Sequence, residues 1–388
     1  MRTIGVVTVA RSDWGIYLPV LRRIEAEPGL QLRVVAGGMH LAPAFGLTVK
    51  EIEADGFEVA DRVEMLLSSD SPEGIAKSMG LGTIGFAQAF ARVQPDLLLI
   101  LGDRFEMHSA AVAALPFRIP LAHVHGGEST EGLIDEPIRH SLTKMSHLHF
   151  ASAELHARRI VQMGEEPWRV TVSGAPSLDK LAELELPTTA ELEAQLGLSL
   201  VEPTLLATYH PVTLEYEQTA ERLGAFLSAL DAVDAQVVFT APNADTGGHA
   251  VLRLIQEFVQ SHPRARIVTS LGSAAYFGLM RDAAAMVGNS SSGIIEAASF
   301  ELPVVNVGIR QRGRLRPANV IDADDNRDAM LGAVHRALEP AFRESLRGLS
   351  NPYGDGHAAE RIVARLCAVD LDSRLLLKRF HDLPESPA

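Results

Sequence analysis

Residues 97–106 have the sequence LLLILGDRFE, in which five apolar residues are followed directly by glycine and charged residues. A short, continuous apolar run is typical of a parallel strand that is covered on both faces. Asp103 and Arg104 would then lie at the carboxyl end of this strand, which is where open α/β sheets bind their ligands. The stretch therefore predicts a parallel α/β fold with a ligand site at a strand end.

Further apolar runs of strand length occur along the whole chain. In the first half, strands are predicted at Thr3–Ala10, Leu32–Gly37, Asp96–Gly102, Pro120–Val124, Leu148–Ser152 and Val170–Ser173. In the second half, they are predicted at Thr204–Tyr209, Gln236–Thr240, Arg266–Thr269, Ala285–Gly288, Pro303–Val307 and Asn319–Asp322. Stretches such as Tyr17–Glu27 and Met79–Val93 separate the strands and are predicted helices. This alternation predicts an α/β protein with two Rossmann-like, doubly wound domains.

A polar segment that contains Pro187 and Pro203 interrupts the alternation. We therefore predict an N-terminal α/β domain at residues 1–185, a linker with a short helix at 186–203, a C-terminal α/β domain at 204–368 and a C-terminal helix or tail at 369–388. Two α/β halves of similar size imply a central cleft. A ligand is expected in that cleft, outside the carboxyl ends of the strands.

The composition excludes several classes of protein. The 388 residues include 35 Lys and Arg against 49 Asp and Glu, a formal net charge of −14. Nucleic-acid binding without sequence preference needs a basic surface, so no nucleic-acid partner is expected. The single cysteine, Cys367, excludes an intramolecular disulfide and any site with several cysteine ligands. Because no apolar segment reaches ~18–20 residues and no signal-peptide pattern occurs, we expect a cytoplasmic protein without a membrane partner.

Acidic residues follow several predicted strands of the first half. Asp103 lies in the stretch quoted above, Glu128 follows two glycines after the next strand, and Asp135 lies about one loop further on. Several carboxylates in one cleft can take separate acid and base roles when their environments differ. The alternative is that they form ion pairs with neighbouring basic residues such as Arg139 or Lys144.

The second half contains a serine-rich turn. Residues 289–293 have the sequence NSSSG and precede Ile294–Phe300, which is a predicted helix. Free N–H groups at a helix N-terminus, together with three hydroxyls, favour a diphosphate site. The alternative is a serine N-cap with two incidental serines. Glu296 either binds ribose hydroxyls or complements the helix N-terminus. Three arginines either neutralise phosphate charge or form surface ion pairs: Arg11, Arg104 and Arg310.

Three common functional motifs do not occur in the sequence. No GxGxxG follows the first strand, and the chain contains neither a GxxxxGK[ST] P-loop nor a GxSxG turn. NAD dependence, P-loop ATP hydrolysis and serine hydrolysis are therefore disfavoured. Histidines are frequent between His108 and His149, but no HExxH pair occurs among them. We expect neither a metal nor a cofactor.

The motifs, taken in order, resemble those of one enzyme family. The matching stretches are ARSDWGI at Ala10–Ile16, GMH at Gly38–His40, LGDRFE at Leu101–Glu106, HGGE and DEPIRHSLTKMSHLH within His125–His149, HP at His210-Pro211, NADTG at Asn243–Gly247, GNSSSGIIE at Gly288–Glu296, RQRGR at Arg310–Arg314 and SNPYGDG at Ser350–Gly356. Over essentially the whole chain they resemble hydrolysing UDP-N-acetylglucosamine 2-epimerases of the bacterial sialic-acid pathway and the epimerase half of the bifunctional animal enzyme. They also resemble close relatives that act on UDP-N,N′-diacetylbacillosamine in legionaminic acid synthesis.

This resemblance implies the two-domain fold of the B-type glycosyltransferases, with the nucleotide on the C-terminal domain and the sugar facing the N-terminal domain. It also implies a homo-oligomer, a dimer or larger. The implied reaction converts UDP-N-acetylglucosamine and water to N-acetylmannosamine and UDP through a 2-acetamidoglucal, for sialic-acid-type sugar synthesis. The C1–O bond breaks before or together with loss of the C2 proton. Protonation of C2 from the other face then accompanies addition of water at C1.

The resemblance also assigns the site residues. The catalytic residues would be Asp103, Glu128, Asp135 and His210. The residues that bind UDP or the sugar would be Arg11, Asp13, His40, Arg104, Arg139, Asn243, Tyr276, Asn289, Ser290, Ser291, Ser292, Gly293, Glu296 and Arg310. Tyr276 either stacks on uracil or is a core aromatic, and His210 could instead be a capping histidine before Pro211. Which carboxylate removes the C2 proton and which returns it stays open.

Four other functions remain as alternatives. The same chemistry on UDP-N,N′-diacetylbacillosamine would require a different sugar pocket, which the sequence does not reveal. A non-hydrolysing epimerase would return UDP-N-acetylmannosamine, but the NSSSG and DEPIRH stretches are more similar to the hydrolysing branch. A glycosyltransferase would need an acceptor and would not need this set of carboxylates. A sugar-nucleotide sensor without catalysis would bind UDP and turn nothing over.

Overall fold

The computed structural model describes residues 1–69, 71–131, 134–200, 203–210, 218–240, 248–268 and 271–383. The chain forms two compact units. The first contains Met1–Ala182 and Tyr353–Ala388, and the second contains Glu183–Pro352. Each unit is built on one parallel sheet, so the predicted α/β class with two doubly wound domains is confirmed.

The first unit has seven strands: β1 (Arg2–Thr8), β2 (Leu30–Gly37), β3 (Val59–Val63), β4 (Leu97–Leu101), β5 (Leu121–Val124), β6 (Leu148–Ala151) and β7 (Val170–Val172). Its helices are α1 (Arg11–Glu25), α2 (Val49–Ala54), α3 (Pro72–Val93), α4 (Phe105–Ala114), α5 (Asp135–Met145), α6 (Glu154–Gln162), α7 (Ser177–Glu183), α15 (Ala358–Ala368) and α16 (Ser373–Leu376). The strand order is β3-β2-β1-β4-β5-β6-β7. The order reverses between β1 and β4, and such a switch point opens a crevice at the carboxyl edge of a sheet.

The second unit has six strands: β8 (Thr204–Thr208), β9 (Gln236–Thr240), β10 (Ala265–Val268), β11 (Ala285–Gly288), β12 (Val304–Val307) and β13 (Val320–Ala323). Its helices are α8 (Thr189–Leu196), α9 (Thr219–Asp231), α10 (Gly248–Ser261), α11 (Gly272–Asp282), α12 (Ser292–Ile295), α13 (Arg327–Leu338) and α14 (Pro340–Ser345). The strand order is β10-β9-β8-β11-β12-β13. The switch point here lies between β8 and β11, which pair in register up to Thr208 and Gly288.

The central strands of both sheets are buried along their whole length. Every residue of β4 and of β8 is buried, as continuous apolar runs predict. Strand β3 was not predicted, because its sequence VADRV places charged residues between the valines. It lies at the edge of the sheet and is only partly covered. An edge strand needs less apolar surface than a central one, so its sequence signal is weak.

The C-terminal part of the chain differs from the predicted domain boundary. We assigned residues 353–368 to the C-terminal domain, but Tyr353–Ala388 belongs to the first unit. Helix α15 places Ile362, Val363 and Leu366 in the same apolar core as Ile4 of β1. The helix is amphipathic, and its sequence does not show which of two apolar cores it joins.

The predicted linker is also part of a packed unit. Residues 186–203 lie within the second unit, and the short helix predicted there is α8. Thr188 and Glu191 form a capping box at its start. Leu192 is fully buried, and the hydroxyl of Thr189 donates to Asp282 at 2.9 Å. These contacts attach the segment to helix α11.

Candidate active site

The carboxyl ends of β4 and β5 lie side by side, and polar residues follow each of them. The strands pair in register up to Leu101 and Val124. The N–H of Gly102 donates to the carbonyl of Val124 at 3.0 Å. Asp103 follows Gly102, and His125 follows Val124. Both side chains therefore start from the same edge of the sheet, which is where the sequence predicted a ligand site.

A buried arginine holds the carboxylate of Asp103. Arg139 on α5 donates from Nη2 to Oδ2 of Asp103 and from Nη1 to Glu136 at 3.3 Å. Burial opposes ionisation of Glu136, but the N–H of Thr130 and the hydroxyl of Ser129 outweigh it and lower the pKa of Glu136. The side chain of Arg139 is 3 % exposed and that of Asp103 is 25 % exposed. The buried cation therefore stabilises a negative charge on a carboxylate that reaches the surface of the site.

Asp13 lies at the start of α1, directly after β1. Its Oδ2 accepts hydrogen bonds from the N–H groups of Val9 at 3.2 Å and Ala10 at 3.1 Å. Burial raises the pKa of Asp13 to about 6, although the positive charge of Arg104 and the two N–H groups oppose this shift. Asp13 is thus a buried carboxyl that gains and loses its proton near neutral pH.

Arg104 lies among three carboxyl groups. Its guanidinium donates to Glu106 at 2.9 and 3.2 Å, and Glu106 is fully buried. Burial disfavours the charge on Arg104, but the carboxylates of Glu106 and Asp13 outweigh burial and raise its pKa. Burial also raises the pKa of Asp135, with Arg104 opposing and Glu106 adding to the shift. One guanidinium therefore faces three acids, an arrangement that favours a bound proton on one of them.

His40 is buried, and both of its ring nitrogens have partners. Nε2 lies 2.9 Å from the hydroxyl of Thr8, and Nδ1 lies 2.8 Å from the hydroxyl of Thr48. Burial lowers the pKa of His40 to about 4. With both nitrogens bonded, the neutral ring connects β1 to the segment that precedes α2.

His125 and Glu128 form a buried pair. Nδ1 of His125 lies 2.5 Å from Oε1 of Glu128, and the hydroxyl of Ser152 donates to the same oxygen at 2.6 Å. His125 has a φ of +65°, a left-handed conformation that is uncommon outside glycine and is enriched at functional sites. Gly127 between them has a φ of +75°, and a Cβ there would lie 2.4 Å from the carbonyl oxygen of His156. The turn therefore requires glycine at this position.

Arg11 lies on the surface of the first unit. Its side chain is 75 % exposed and its Nε lies 3.1 Å from Oε2 of Glu51. This is the surface ion pair that the sequence analysis gave as the alternative to phosphate binding.

The second cluster lies at the switch point of the second sheet. Oδ1 of Asn289 accepts the N–H of His210 at 2.7 Å, and Nδ2 of Asn289 donates to the carbonyl of His210 at 2.8 Å. The carbonyl of Asn289 accepts hydrogen bonds from Arg310 at 3.0 Å and Gln311 at 2.9 Å. Burial, with the charge of Arg310, lowers the pKa of His210 to about 3. Asn289 thus fixes the backbone of a neutral, buried histidine.

The helix predicted at Ile294–Phe300 is not formed as one continuous α-helix. Helix α12 spans only Ser292–Ile295, and a 3₁₀ helix follows at Ala297–Phe300. Gly293 needs its small size here, because a Cβ would lie 2.9 Å from Val304. The N–H of Ser292 donates to the hydroxyl of Ser290 at 3.3 Å. Because so short a helix has a small dipole, an anion at the serine-rich turn would be held more by the serine hydroxyls and Arg310 than by the dipole.

Tyr276 lies beside the serine-rich turn. Its hydroxyl takes part in hydrogen bonds with Ser292, Ser290 and Thr208. Burial raises the pKa of Tyr276 to about 12, and the charge of Glu296 adds to the shift. Glu296 itself is 8 % exposed. The tyrosine therefore holds the turn through its hydroxyl, near the buried carboxylate of Glu296.

Asn243 and the NADTG stretch lie outside the described residues. Within the residues that the structure describes, no group of three or more His, Cys, Asp or Glu side chains is arranged to hold a metal. In the same part of the chain, no helix is long and apolar enough to cross a membrane.

Sequence reasoning missed four residues that the structure adds to these clusters. They are Glu106, His125, Glu136 and Gln311. Each lies within a motif quoted above, so its position was visible. The role of each residue depends on a partner that the fold brings near it, as Arg104 is brought near Glu106. The position of a charged residue in the first turn of the otherwise largely apolar helix α4 was the available signal for burial of Glu106.

The sequence of the chain is similar to those of known 2-epimerases. The family model described as UDP-N-acetylglucosamine 2-epimerase matches residues 22–367. A UDP-N,N′-diacetylbacillosamine 2-epimerase (hydrolyzing) of Legionella pneumophila is 38 % identical over 97 % of this chain and 99 % of the relative. A GDP/UDP-N,N′-diacetylbacillosamine 2-epimerase (hydrolyzing) of Campylobacter jejuni is 40 % identical over 84 % of this chain and 85 % of the relative.

A solved structure supports the fold. The UDP-GlcNAc 2-epimerase of Neisseria meningitidis bound to UDP-GlcNAc matches with a TM-score of 0.80. The match covers 95 % of this chain and 100 % of that chain, at 17 % identity. These findings confirm the family resemblance of the motifs and the B-type glycosyltransferase fold that it implies.

Proposed function

Because the chain belongs to the UDP-N-acetylglucosamine 2-epimerase family, we propose that it is a hydrolysing 2-epimerase of a UDP-linked 2-acetamido sugar. One observation carries this proposal. The carboxyl edge of the first sheet combines Asp103, which is held by a buried arginine, with Asp135, whose pKa is raised by burial. A carboxylate and a carboxyl group of different proton affinity are what a reaction with separate base and acid steps requires.

The proposed reaction has two steps. In the first, the C1–O bond breaks and its electron pair leaves with UDP, while a base takes the C2 proton and the C2–H electrons form the double bond of a 2-acetamidoglucal. In the second, C2 receives a proton on the opposite face and water adds at C1 with loss of its proton. The ionised Asp103 suits the role of a base, and Asp135 suits the role of an acid.

The second unit is proposed to bind UDP. Arg310 and the hydroxyls of Ser290, Ser291 and Ser292 would stabilise the negative charge that develops as UDP departs. Glu296 is suited to accept hydrogen bonds from the ribose. His210 is neutral because its pKa is low, so it can contribute a hydrogen bond to a phosphate oxygen but not a full charge.

We further propose that the sugar is N,N′-diacetylbacillosamine. Two relatives at 38–40 % identity carry this name. A cavity of about 890 Å³ beside Arg104 and Glu106 supports the proposal, because much of its lining is apolar and includes Met39, Leu66 and Phe105. Such a lining favours the 6-methyl and the additional acetamido methyl of this sugar over a hydroxymethyl group. UDP-N-acetylglucosamine is the second candidate, since the matched family carries its name.

The test is proton NMR in D₂O with each UDP-sugar in parallel. Release of UDP together with the free 2-epimer, deuterated at C2, is the expected result for one or both substrates. Faster turnover of UDP-N,N′-diacetylbacillosamine would support the assignment of the sugar, and faster turnover of UDP-N-acetylglucosamine would reject it. UDP binding without any turnover would reject the epimerase proposal in favour of a sensor.

Variants of the carboxylates test the assignment of residues. Asp103→Asn and Asp135→Asn are each expected to lower kcat by about 10²–10⁴-fold, the usual contribution of a positioned acid or base. Asp328→Asn is the matched control, since the Asp328 side chain is 87 % exposed in the second unit. If both site variants kept the turnover of the control, the assignment would be wrong.

Binding of UDP has its own test. Arg310→Ala is expected to weaken UDP binding measured by calorimetry, because it removes a charge beside the serine-rich turn. Arg312→Ala, which changes an exposed arginine two residues away, should bind UDP like the wild type. Equal affinities for both variants would exclude Arg310 from the nucleotide site.

A homo-oligomer remains part of the proposal, as does a cytoplasmic location. The exposed large apolar side chains of the first unit include Leu81, Ile84, Leu115 and Phe117, at 44, 61, 43 and 44 %. They lie on α3 and directly after α4, two helices that pack together. Apolar surface of this kind favours association with a second copy, which light scattering on the purified protein would detect.

A further inference from the structure

The buried pair of His125 and Glu128 is arranged like an acid–base dyad. His125 is 8 % exposed and Glu128 is 5 % exposed. A carboxylate only accepts hydrogen bonds, so Nδ1 of His125 donates across the 2.5 Å contact to Oε1. The proton of a neutral His125 is thereby placed on Nδ1, and its Nε2 carries a free electron pair.

A second histidine completes this network from the other side. Ser152 donates its one hydroxyl proton to Glu128 at 2.6 Å, so its oxygen accepts from Nδ1 of His156 at 2.9 Å. Burial lowers the pKa of His156 to about 4, and His156 is therefore a neutral donor. Oε1 of Glu128 receives two hydrogen bonds, which fixes the carboxylate and through it the imidazole plane of His125.

The remaining nitrogen of His125 sets it apart from His40, another buried histidine of the first unit. Nε2 of His125 is buried and makes no hydrogen bond within the described residues, whereas both nitrogens of His40 are bonded. Buried polar atoms without a partner are rare, and a catalytic role is one of the physical reasons for which they are retained. His125 follows the last residue of β5, at the sheet edge where Asp103 follows β4. Its φ of +65° is left-handed, a backbone conformation that is concentrated at active sites.

We propose that His125 is a catalytic residue whose Nε2 exchanges a proton with the substrate, and that Glu128 acts through it as a positioning residue. This inference rests on the proposed epimerase function. It changes the role of Glu128, a catalytic residue by the family resemblance, to that of a positioning residue. It leaves Asp103 as the base that takes the proton of water when water adds at C1.

The dyad acts in the elimination step. Nε2 of neutral His125 takes the C2 proton and the ring becomes imidazolium, while the C2–H electrons form the C1=C2 bond and the C1–O electrons leave with UDP. The negative charge of Glu128 stabilises the imidazolium. Solvent then removes the proton from Nε2, which returns His125 to its neutral form. A carboxyl group, Asp135 in the proposed function, delivers the new proton to C2 from the other face.

The test compares His125→Gln and Glu128→Gln with the wild type, using whichever UDP-sugar the wild type turns over. His125→Gln is expected to lower kcat by about 10²–10⁴-fold with little change in KM, because the base is lost and not the binding site. Substrate deuterated at C2 should then show a larger isotope effect than with the wild type, since C2–H cleavage limits the rate. Glu128→Gln should lower kcat to a smaller extent.

His262→Asn is the matched control. His262 also pairs with a carboxylate, through Nε2 at 2.8 Å from Asp231, but lies on the surface of the second unit. It should keep the wild-type kcat. A wild-type kcat in a folded His125→Gln variant would overturn the dyad while leaving the epimerase function intact. A wild type that releases no UDP would instead overturn the proposed function.

A spectroscopic measurement tests the hydrogen bond between His125 and Glu128 without relying on turnover. In ¹⁵N-histidine-labelled wild type, NMR should show an Nδ1 proton shifted far downfield by its carboxylate partner. In Glu128→Gln this signal should move upfield, because a neutral amide is a weaker acceptor. The absence of such a signal in the wild type, or its persistence in Glu128→Gln, would overturn the proposal even if His125→Gln failed to fold.

Discussion

At the scale of single residues, the pKa of each acidic side chain in this site depends on its burial and on how far nearby charges and hydrogen bonds compensate for that burial. Asp13 and Asp135 are both raised in pKa by burial, and both lie in the field of Arg104 and Glu106. Glu136 is lowered instead, because hydrogen bonds from Thr130 and Ser129 favour its charged form. Neighbouring carboxyl groups thus differ in proton affinity because each has a different balance of desolvation and hydrogen bonding.

The shift at Asp13 predicts a pH dependence of stability. Its pKa is raised from 3.8 to about 6 in the folded protein, so the folded state holds this proton over a pH range where the unfolded state has lost it. The stabilisation is complete below pH 4 and is lost as the pH rises through 6. It amounts to about 3 kcal/mol at 1.36 kcal/mol per pKa unit. Asp13→Asn should remove this dependence, and urea unfolding between pH 4 and 7 would measure it. An unchanged slope in Asp13→Asn, compared with the exposed Asp328→Asn, would contradict the prediction.

Gly288 lies at a position where a larger residue is expected to lower the stability of the protein. Its φ is +142°, and a Cβ here would lie 1.8 Å from the carbonyl oxygen of Thr208. Gly288→Ala must therefore displace β8 or β11 and should lower the free energy of unfolding by about 3–5 kcal/mol. Gly332→Ala is the control, because nothing lies within 4 Å of its Cβ and alanine should stabilise helix α13 by about 0.5–1 kcal/mol. Chemical denaturation of both variants tests the difference, and similar stabilities would count against it.

At the scale of elements, helix α15 ties the end of the chain to its beginning. The carboxylate of Asp179 on α7 accepts the first free N–H groups of this helix, from Ala358 at 2.8 Å and Ala359 at 2.6 Å. Its apolar face packs on α1 in the core of the first unit. Capping and packing together therefore make a C-terminal helix part of an N-terminal fold.

This packing predicts the cost of truncating a side chain in α15. Ile362 is fully buried, so Ile362→Ala should lower the free energy of unfolding by about 2–5 kcal/mol through lost contacts and a residual cavity. Leu376→Ala removes a side chain of similar size from α16, where it is 38 % exposed, and should change stability by less than about 0.5 kcal/mol. Thermal unfolding of the two variants would show whether α15 belongs to the core; equal melting temperatures would argue that it does not.

At the scale of the whole molecule, the two units differ in chain continuity. The second is a single segment, Glu183–Pro352, whereas the first needs both Met1–Ala182 and Tyr353–Ala388. Each has its own apolar core around a parallel sheet. Units with separate cores can fold independently when all of their segments are present.

Fragments of the chain test this organisation. Residues 183–352 alone should give a cooperative thermal unfolding transition, because their core is complete. Residues 1–182 alone should lack such a transition, since they lose α15 and its part of the core. Joining residues 353–388 to 1–182 through a flexible linker should restore it. Circular dichroism on the three fragments is the measurement, and a stable 1–182 would contradict the predicted dependence on α15.

The sequence by itself determined the central strands of both sheets, the strand-end position of Asp103 and His210, and the family. These follow from local patterns: continuous apolar runs predict buried parallel strands, and parallel strands bring their carboxyl ends to one edge. Such patterns need no knowledge of which distant segments meet.

Only the tertiary structure decided which unit α15 joins, that Arg139 holds Asp103, and that His125 pairs with Glu128 across a strained turn. An amphipathic helix fits any apolar surface of the right shape, and a carboxylate can pair with any cation that the fold brings near it. Partner choice and proton affinity depend on distances and burial that are set by the whole fold, so the local sequence does not contain them.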